Sequence, residues 1–196
     1  MGWSLSWAAL KGGNLQTVCS ALGLRATGKR ERIAESKMAG TALPTGWYVV
    51  VFNRTEIKDN TLEKLSQAGE AVCCFVEDHV MFCSAAAWKN GQKLWRVAHD
   101  GGEDKVLHLE TSGELPVEFE SIRESVFAKQ AQEAAERDEL KVDHVYELPA
   151  ELAKKLTRFR HDQDMPGLAD EAFEVLEPAK EAGGLFGRLF GKQGRQ

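Results

Sequence analysis

The sequence predicts an α+β fold, a largely antiparallel mixed sheet with helices packed on it. One domain is expected over residues 1–178, followed by a flexible basic Gly/Phe/Leu tail over 179–196. Three observations carry that prediction. Trp47 to Phe52 is apolar at every position, as in a strand covered on both faces. Glu70 to His99 holds three apolar segments joined by a tight turn near Glu77-Asp78 and an Asn90-Gly91 hairpin turn, the pattern of a meander. Segments with helical spacing lie before, between and after these strands.

In chain order, Trp3, Leu5, Trp7 and Ala9 alternate with Gly2, Ser4, Ser6 and Ala8, which predicts an opening strand with one apolar face. Gly12-Gly13-Asn14 breaks it. Asn14 caps a helix with Leu15, Val18, Ala21 and Leu22 on one side, and Gly23 ends that helix. A variable polar segment leads to the Trp47 strand, expected near the middle of the sheet and leaving through Asn53-Arg54-Thr55-Glu56. Asp59 or Asn60 caps the next helix, whose stripe is Leu62 and Leu65, and Gly69 closes it.

In the hairpin, Asn-Gly supplies the positive φ angles of a type I′ turn, and a two-residue turn pairs Ala86 with Trp95 and Trp88 with Lys93. That register puts Phe82, Trp88, Trp95 and Val97 on one face and Met81, Cys83, Ala85, Ala87 and Leu94 on the other, so both faces need cover. Lys105 to Glu110 predicts a fourth strand. After a turn at Gly113, Pro116 opens a long helix through Phe119, Ile122 and Val126 that becomes Ala-rich and charged from Lys129 to Glu139. Val142 to Tyr146 predicts a short strand, and Pro149 starts a helix through Leu152, Leu156 and Phe159. Glu171 to Leu176 is too short to assign.

The chain of 196 residues, 43% hydrophobic and 28% charged, has the composition of a packed globular protein. Its net charge of -5 is uneven. The tail holds Lys180, Arg188, Lys192 and Arg195 against Glu181, about +3, which leaves the body near about -8. An acidic body weighs against nucleic acid as the main ligand, because phosphate binding needs clustered Lys and Arg. Met1-Gly2-Trp3-Ser4 carries no basic leader, and no stretch approaches the roughly 18 apolar residues of a membrane span, so a cytoplasmic location is expected. Cys19, Cys73, Cys74 and Cys83 are spaced unlike a disulfide framework or a paired zinc site, which points to reduced, buried thiols.

Several motifs approach known chemistry. Gly23 to Arg30 nearly matches the phosphate loop GxxxxGK[ST], but Arg30 offers no hydroxyl to magnesium and a helix, not a strand, precedes it; a basic solvent loop is the plainer reading. Cys74, His79, Met81 and Cys83 share one face if the turn is at Glu77-Asp78, a soft-ligand set of unspecific spacing. No metal and no cofactor are therefore expected. Arg158, Arg160, His161, Asp162 and Asp164 form the densest charged cluster and the leading surface site for a ligand or partner. Asn53, Arg54 and Glu56 compete with it, since they leave the central strand where α/β sheets form ligand crevices. In the tail, Leu185, Phe186, Leu189 and Phe190 fall on one helical side, suited to docking on a partner or to weak peripheral contact with an anionic membrane.

The stretches GWSLSWAALKG, LPTGWYVVVFN and FRHDQDMPGL resemble a group of bacterial proteins with a GWSxSW-type opening strand and no assigned activity. The resemblance spans most of the body and implies a bacterial, cytosolic origin. The leading functional expectation is a non-catalytic protein-interaction module, an adaptor or immunity-type inhibitor whose acidic body meets a basic protein partner. The alternative is a small enzyme or small-ligand binder built on Arg54 with Glu56 or His161 with Asp162. A defined pocket joining those residues would favour it.

Overall fold

A strand that alternates large and small side chains can be covered on both sides when the small ones let a helix approach. That is the situation of β1 (Ser4–Lys11), in which every residue from Leu5 to Leu10 is buried. The alternation starting at Trp3 predicts cover on one face only, so the second cover is a correction. Ser6 tolerates burial because its hydroxyl donates to the Thr55 carbonyl at 2.6 Å and accepts from the Ile57 N–H at 3.0 Å.

The computed structural model describes residues 2–102, 107–136 and 142–179. After β1 come α1 (Leu15–Leu22), β2 (Leu24–Glu31), β3 (Met38–Ala42), β4 (Trp47–Asn53), α2 (Asp59–Leu65) and β5 (Ala71–Glu77). Then follow β6 (Phe82–Lys89), β7 (Gln92–Asp100), β8 (Glu110–Gly113), α3 (Glu118–Glu136), α4 (Leu148–Thr157) and β9 (Phe173–Pro178). The strands form one sheet in the order β2-β9-β3-β4-β1-β5-β6-β7-β8. Every ladder pair among the described residues is antiparallel, as expected of a largely antiparallel sheet with helices packed on it. β1 occupies the centre, between β4 and β5. Helices α3 and α4 pack on one face against Trp7, Val49, Val72 and Val97, while α1 and α2 pack on the other against Leu10, Val50 and Trp88. Each fully buried Val or Leu contributes about 1.5–3 kcal/mol, and this three-layer α+β domain has two such cores.

Local signals work where turn chemistry decides. Asn14 accepts from the Thr17 N–H at 2.9 Å, and Gly23 ends α1 at φ 64° in the left-handed region. Helix α2 begins at Asp59 without a side-chain cap from Asp59 or Asn60, with Lys58 in the cap position. Pro116 lies just ahead of α3, and its carbonyl accepts from the Phe119 N–H at 3.0 Å.

Where pairing is long-range, the outcome differs. The polar segment after Gly23 is not a loop: it forms edge strand β2, and residues 173–178 pair with it as β9. Of the stretch Gly23 to Arg30, Gly23 caps α1 and Leu24 to Arg30 is strand, interrupted by an irregularity between Ala26 and Arg30, and not a phosphate loop. Residues 105 and 106 of the fourth strand predicted over 105–110 lie outside the described residues, and the strand that pairs with β7 is Glu110–Gly113. Val142 to Tyr146 is not a strand; Val145–Glu147 forms a 3₁₀ turn leading into α4. In the hairpin, Trp88 pairs with Lys93 as expected, but a bulge at Leu94 makes Ala87 the partner of Trp95 and Ala86 the partner of Arg96. One extra residue inverts all that follows. Trp95 and Val97 join Cys83, Ala85 and Ala87 under α4, whereas Trp88 stays on the α2 face with the Lys93 ammonium 4.9 Å from its ring. Among the described residues no helix is long and apolar enough to cross a membrane.

Candidate functional site

The site lies at the end of the sheet where β4 and β5 stop and β1, β3 and β6 begin. Helix α4 ends at Arg158, which takes the left-handed conformation at φ 67°. The chain then doubles back beside α4, and Arg160 holds it there. Its guanidinium, 9% exposed, donates to Glu147 and Glu151 and, through Nε at 2.8 Å and Nη2 at 3.1 Å, to Asp162. Burial pulls its pKa down, but Glu147 and Asp162 outweigh burial and hold it above the ordinary value. One buried cation thus serves three carboxylates and carries His161 toward Trp3.

A cleft of about 1500 Å³ opens between residues 2–5, the β2–β3 connection and the return segment after α4. Asn53 builds its rim: the side-chain amide donates to the carbonyls of Ala34 and Ser36, each at 2.7 Å. Arg54 follows at φ 54°, its N–H donating to the Ser4 carbonyl at 2.7 Å. A left-handed non-glycine residue costs on the order of 1 kcal/mol, and such strain clusters at functional sites. The Arg54 guanidinium has no partner among the described residues.

Behind the cleft is a recess of about 300 Å³, and Trp3, Arg160, His161 and Asp162 line both. The Asp78 carboxylate organises it, accepting the Tyr146 hydroxyl at 2.5 Å through one oxygen and the Trp3 N–H at 2.6 Å through the other. Burial, then the bond to Asp78, raises the Tyr146 pKa, so the phenol stays a donor. Trp3 meets His161 edge-on, with centroids 5.4 Å apart. Burial lowers the His161 pKa, opposed by Asp162 and Asp78 and reinforced by Arg160. Its Nδ1 is buried and has no hydrogen-bond partner among the described residues.

Cys83 is in the recess wall with Cys74 diagonal to it across the β5–β6 pair. The hydrogen bond to Cys83, then burial, raises the Cys74 pKa, which makes a poor thiolate. The soft-ligand set is split, because His79 sits exposed at the cleft rim and bonds Glu77 at 2.9 Å. Among the described residues no group of three or more His, Cys, Asp or Glu is arranged to hold a metal ion.

The cleft therefore unites Asn53 and Arg54 with Arg160, His161, Asp162 and Asp164, two segments more than 100 residues apart. Glu56 and Arg158 do not line it; both are exposed, and Arg158 makes the turn after α4. The tail residues Leu185, Phe186, Leu189 and Phe190 lie outside the described residues. Sequence reasoning missed Trp3, Asp78 and Tyr146, which read as strand, turn and strand residues. It also missed His99, fully buried, with Nδ1 2.7 Å from the His108 carbonyl and Nε2 2.9 Å from Asp143 Oδ2, too oblique for a hydrogen bond. Asp143 also accepts the Tyr146 N–H at 3.1 Å, so this pair positions the turn that aims Tyr146. No protein-family model, curated protein or solved structure matches the chain.

Proposed function

We propose that the chain is a non-catalytic protein-interaction module, an adaptor or immunity-type inhibitor of the bacterial cytoplasm, whose cleft receives an extended segment of a partner protein. The observation that carries this reading is the size and lining of the cleft. At about 1500 Å³ it exceeds the ~300–1,000 Å³ of small-molecule sites, and the exposed side chains of Trp3 and Ile33, 46% and 55% accessible, stand at its edge. Two of its polar groups are engaged in building it: Asn53 holds the rim, and Arg160 is saturated by carboxylates. The acidic body speeds encounter with a basic partner.

A photo-crosslinking side chain placed at Ile33 tests this, with the same group at the exposed bulge residue Leu94 as control. One dominant protein adduct from position 33 and none from position 94 is expected; equal adducts from both, or none from position 33, sink the reading. The convergence of Arg54 with His161 and Asp162 also favours a second reading, a small-ligand site. A metabolite that raises the melting temperature of the native chain but not of an Arg54→Ala variant would move the assignment there.

A further inference from the structure

We infer that the recess behind His161 is a pocket for one cationic side chain, a lysine or arginine of the partner segment lying in the cleft. The inference rests on the interaction reading above and names the chemistry that the segment must carry.

The argument is one of charge and shape. Asp78, Glu147 and Asp162 line the recess, against the single cation Arg160. That cation is already shared among Glu147, Asp162 and, from the next turn of α4, Glu151. Among the described residues Asp78 accepts only from neutral donors, the Tyr146 hydroxyl and the Trp3 N–H, so its charge is solvated within the wall but met by no cation among them. An anionic ligand would face three carboxylates at close range. A neutral one would cover Asp78 without compensating it, the costly arrangement for a desolvated charge. A lysine or arginine satisfies both constraints: its methylenes pass between Trp3, Met81 and Ala150, and its head reaches the carboxylates. Nδ1 of His161, in the wall common to cleft and recess, is one more polar atom awaiting a partner. The outer cleft is mixed in charge, Arg32 and Arg54 against Asp164 and Asp170, so discrimination falls to the recess.

The test is NMR titration of the full chain with n-butylammonium and n-butylguanidinium, and with 1-butanol and butyrate as neutral and anionic probes of equal length. The cations should give saturable shifts at the Trp3 indole, the Met81 methyl and the His161 ring, and the other two should bind at least about tenfold more weakly. Asp78→Asn should abolish the shifts. Should that variant fail to fold, Asp162→Asn changes an exposed residue and should weaken the cations about tenfold while leaving butanol unaffected. A pentapeptide with one lysine between leucines should bind more tightly than butylammonium, with added shifts at Ile33. Equal binding of all four probes, or shifts outside the recess, overturns the inference, as does a peptide no tighter than the free amine. A silent recess beside a cleft that still crosslinks through position 33 refutes the cationic pocket alone. Cation shifts without crosslinking instead remove the partner segment as their source.

Discussion

The two ends of the sheet are built by different means. At one end, β1 leaves for α1, β3 turns into β4 and β6 turns into β7, and the backbone itself makes the closures. Gly12 donates to the Gly46 carbonyl at 2.8 Å, Leu43 to Trp47 at 2.7 Å and Asn90 to Ser66 at 3.0 Å. Glycines at positive φ stand there, at positions 12, 46, 69 and 91, with Asn90 beside them in the β6–β7 turn. At the other end side chains hold the connections, and the left-handed positions fall on Arg54 and Met81. Glycine relieves strain at most of the plain turns, with Asn90 and Arg158 as left-handed side chains that only turn the chain, whereas Arg54 carries a strained side chain into the cleft. The difference marks the second end as the functional one.

Four substitutions would break or sharpen that contrast. The largest effect is expected from Arg160→Met at the side-chain-held end, which leaves Glu147, Glu151 and Asp162 facing one another. Removing one partner of a fully buried pair costs about 3–5 kcal/mol, and the partial exposure of these carboxylates reduces that to about 2–3 kcal/mol. Urea unfolding of the variant should show it. A loss below about 0.5 kcal/mol would mean that the return segment is held by packing and not by charge.

A pair of opposite sign comes next. Gly46 sits at φ 82° with open space where a Cβ would go, so Gly46→Ala isolates backbone strain and should cost about 1 kcal/mol. Arg54→Gly should be neutral or stabilising by up to about 1 kcal/mol while weakening whatever the cleft binds. Destabilisation by Arg54→Gly equal to that of Gly46→Ala would erase the distinction between the two ends.

The smallest effect is a pH dependence. His161 is held below its ordinary pKa, first by burial, so the unfolded chain binds the proton more readily than the folded one. Its contribution is present above the unfolded value of about 6.5 and is lost as pH falls toward the depressed folded value. Glu77, lowered chiefly by the Ser4 hydroxyl, loses its contribution only at more acidic pH. Between pH 7.5 and 5 the native chain should therefore lose more stability than His161→Gln. Parallel urea midpoints for the two across that range would show that burial of the ring does not penalise its charging.

The strands β1, β4, β5, β6 and β7, the Asn14 cap, the Gly23 stop and the Asn90-Gly91 turn were all legible in the sequence, because each depends on residues within one turn or one strand. β2, β3 and β9 were not. Residues 24–31 are too polar to announce a strand, and they become one through pairing with residues 173–178. Both charged segments of the site were visible as clusters, but nothing local showed that Asn53 works for the rim, that Arg158 only turns the chain, or that Trp3 and Asp78 belong to the site.

What the sequence by itself determined is therefore the α+β class, the central apolar strands and the turns, since hydrophobic period and glycine chemistry act over a few residues. What only the tertiary structure decided is which face each strand presents beyond the Leu94 bulge and which charges meet in the recess. A one-residue bulge leaves the composition almost unchanged yet inverts a strand. The encounter of Trp3, Asp78, Tyr146 and His161 is set by the path of the chain through the β1–β5 pairing and the Arg160 anchor, which no local spacing records.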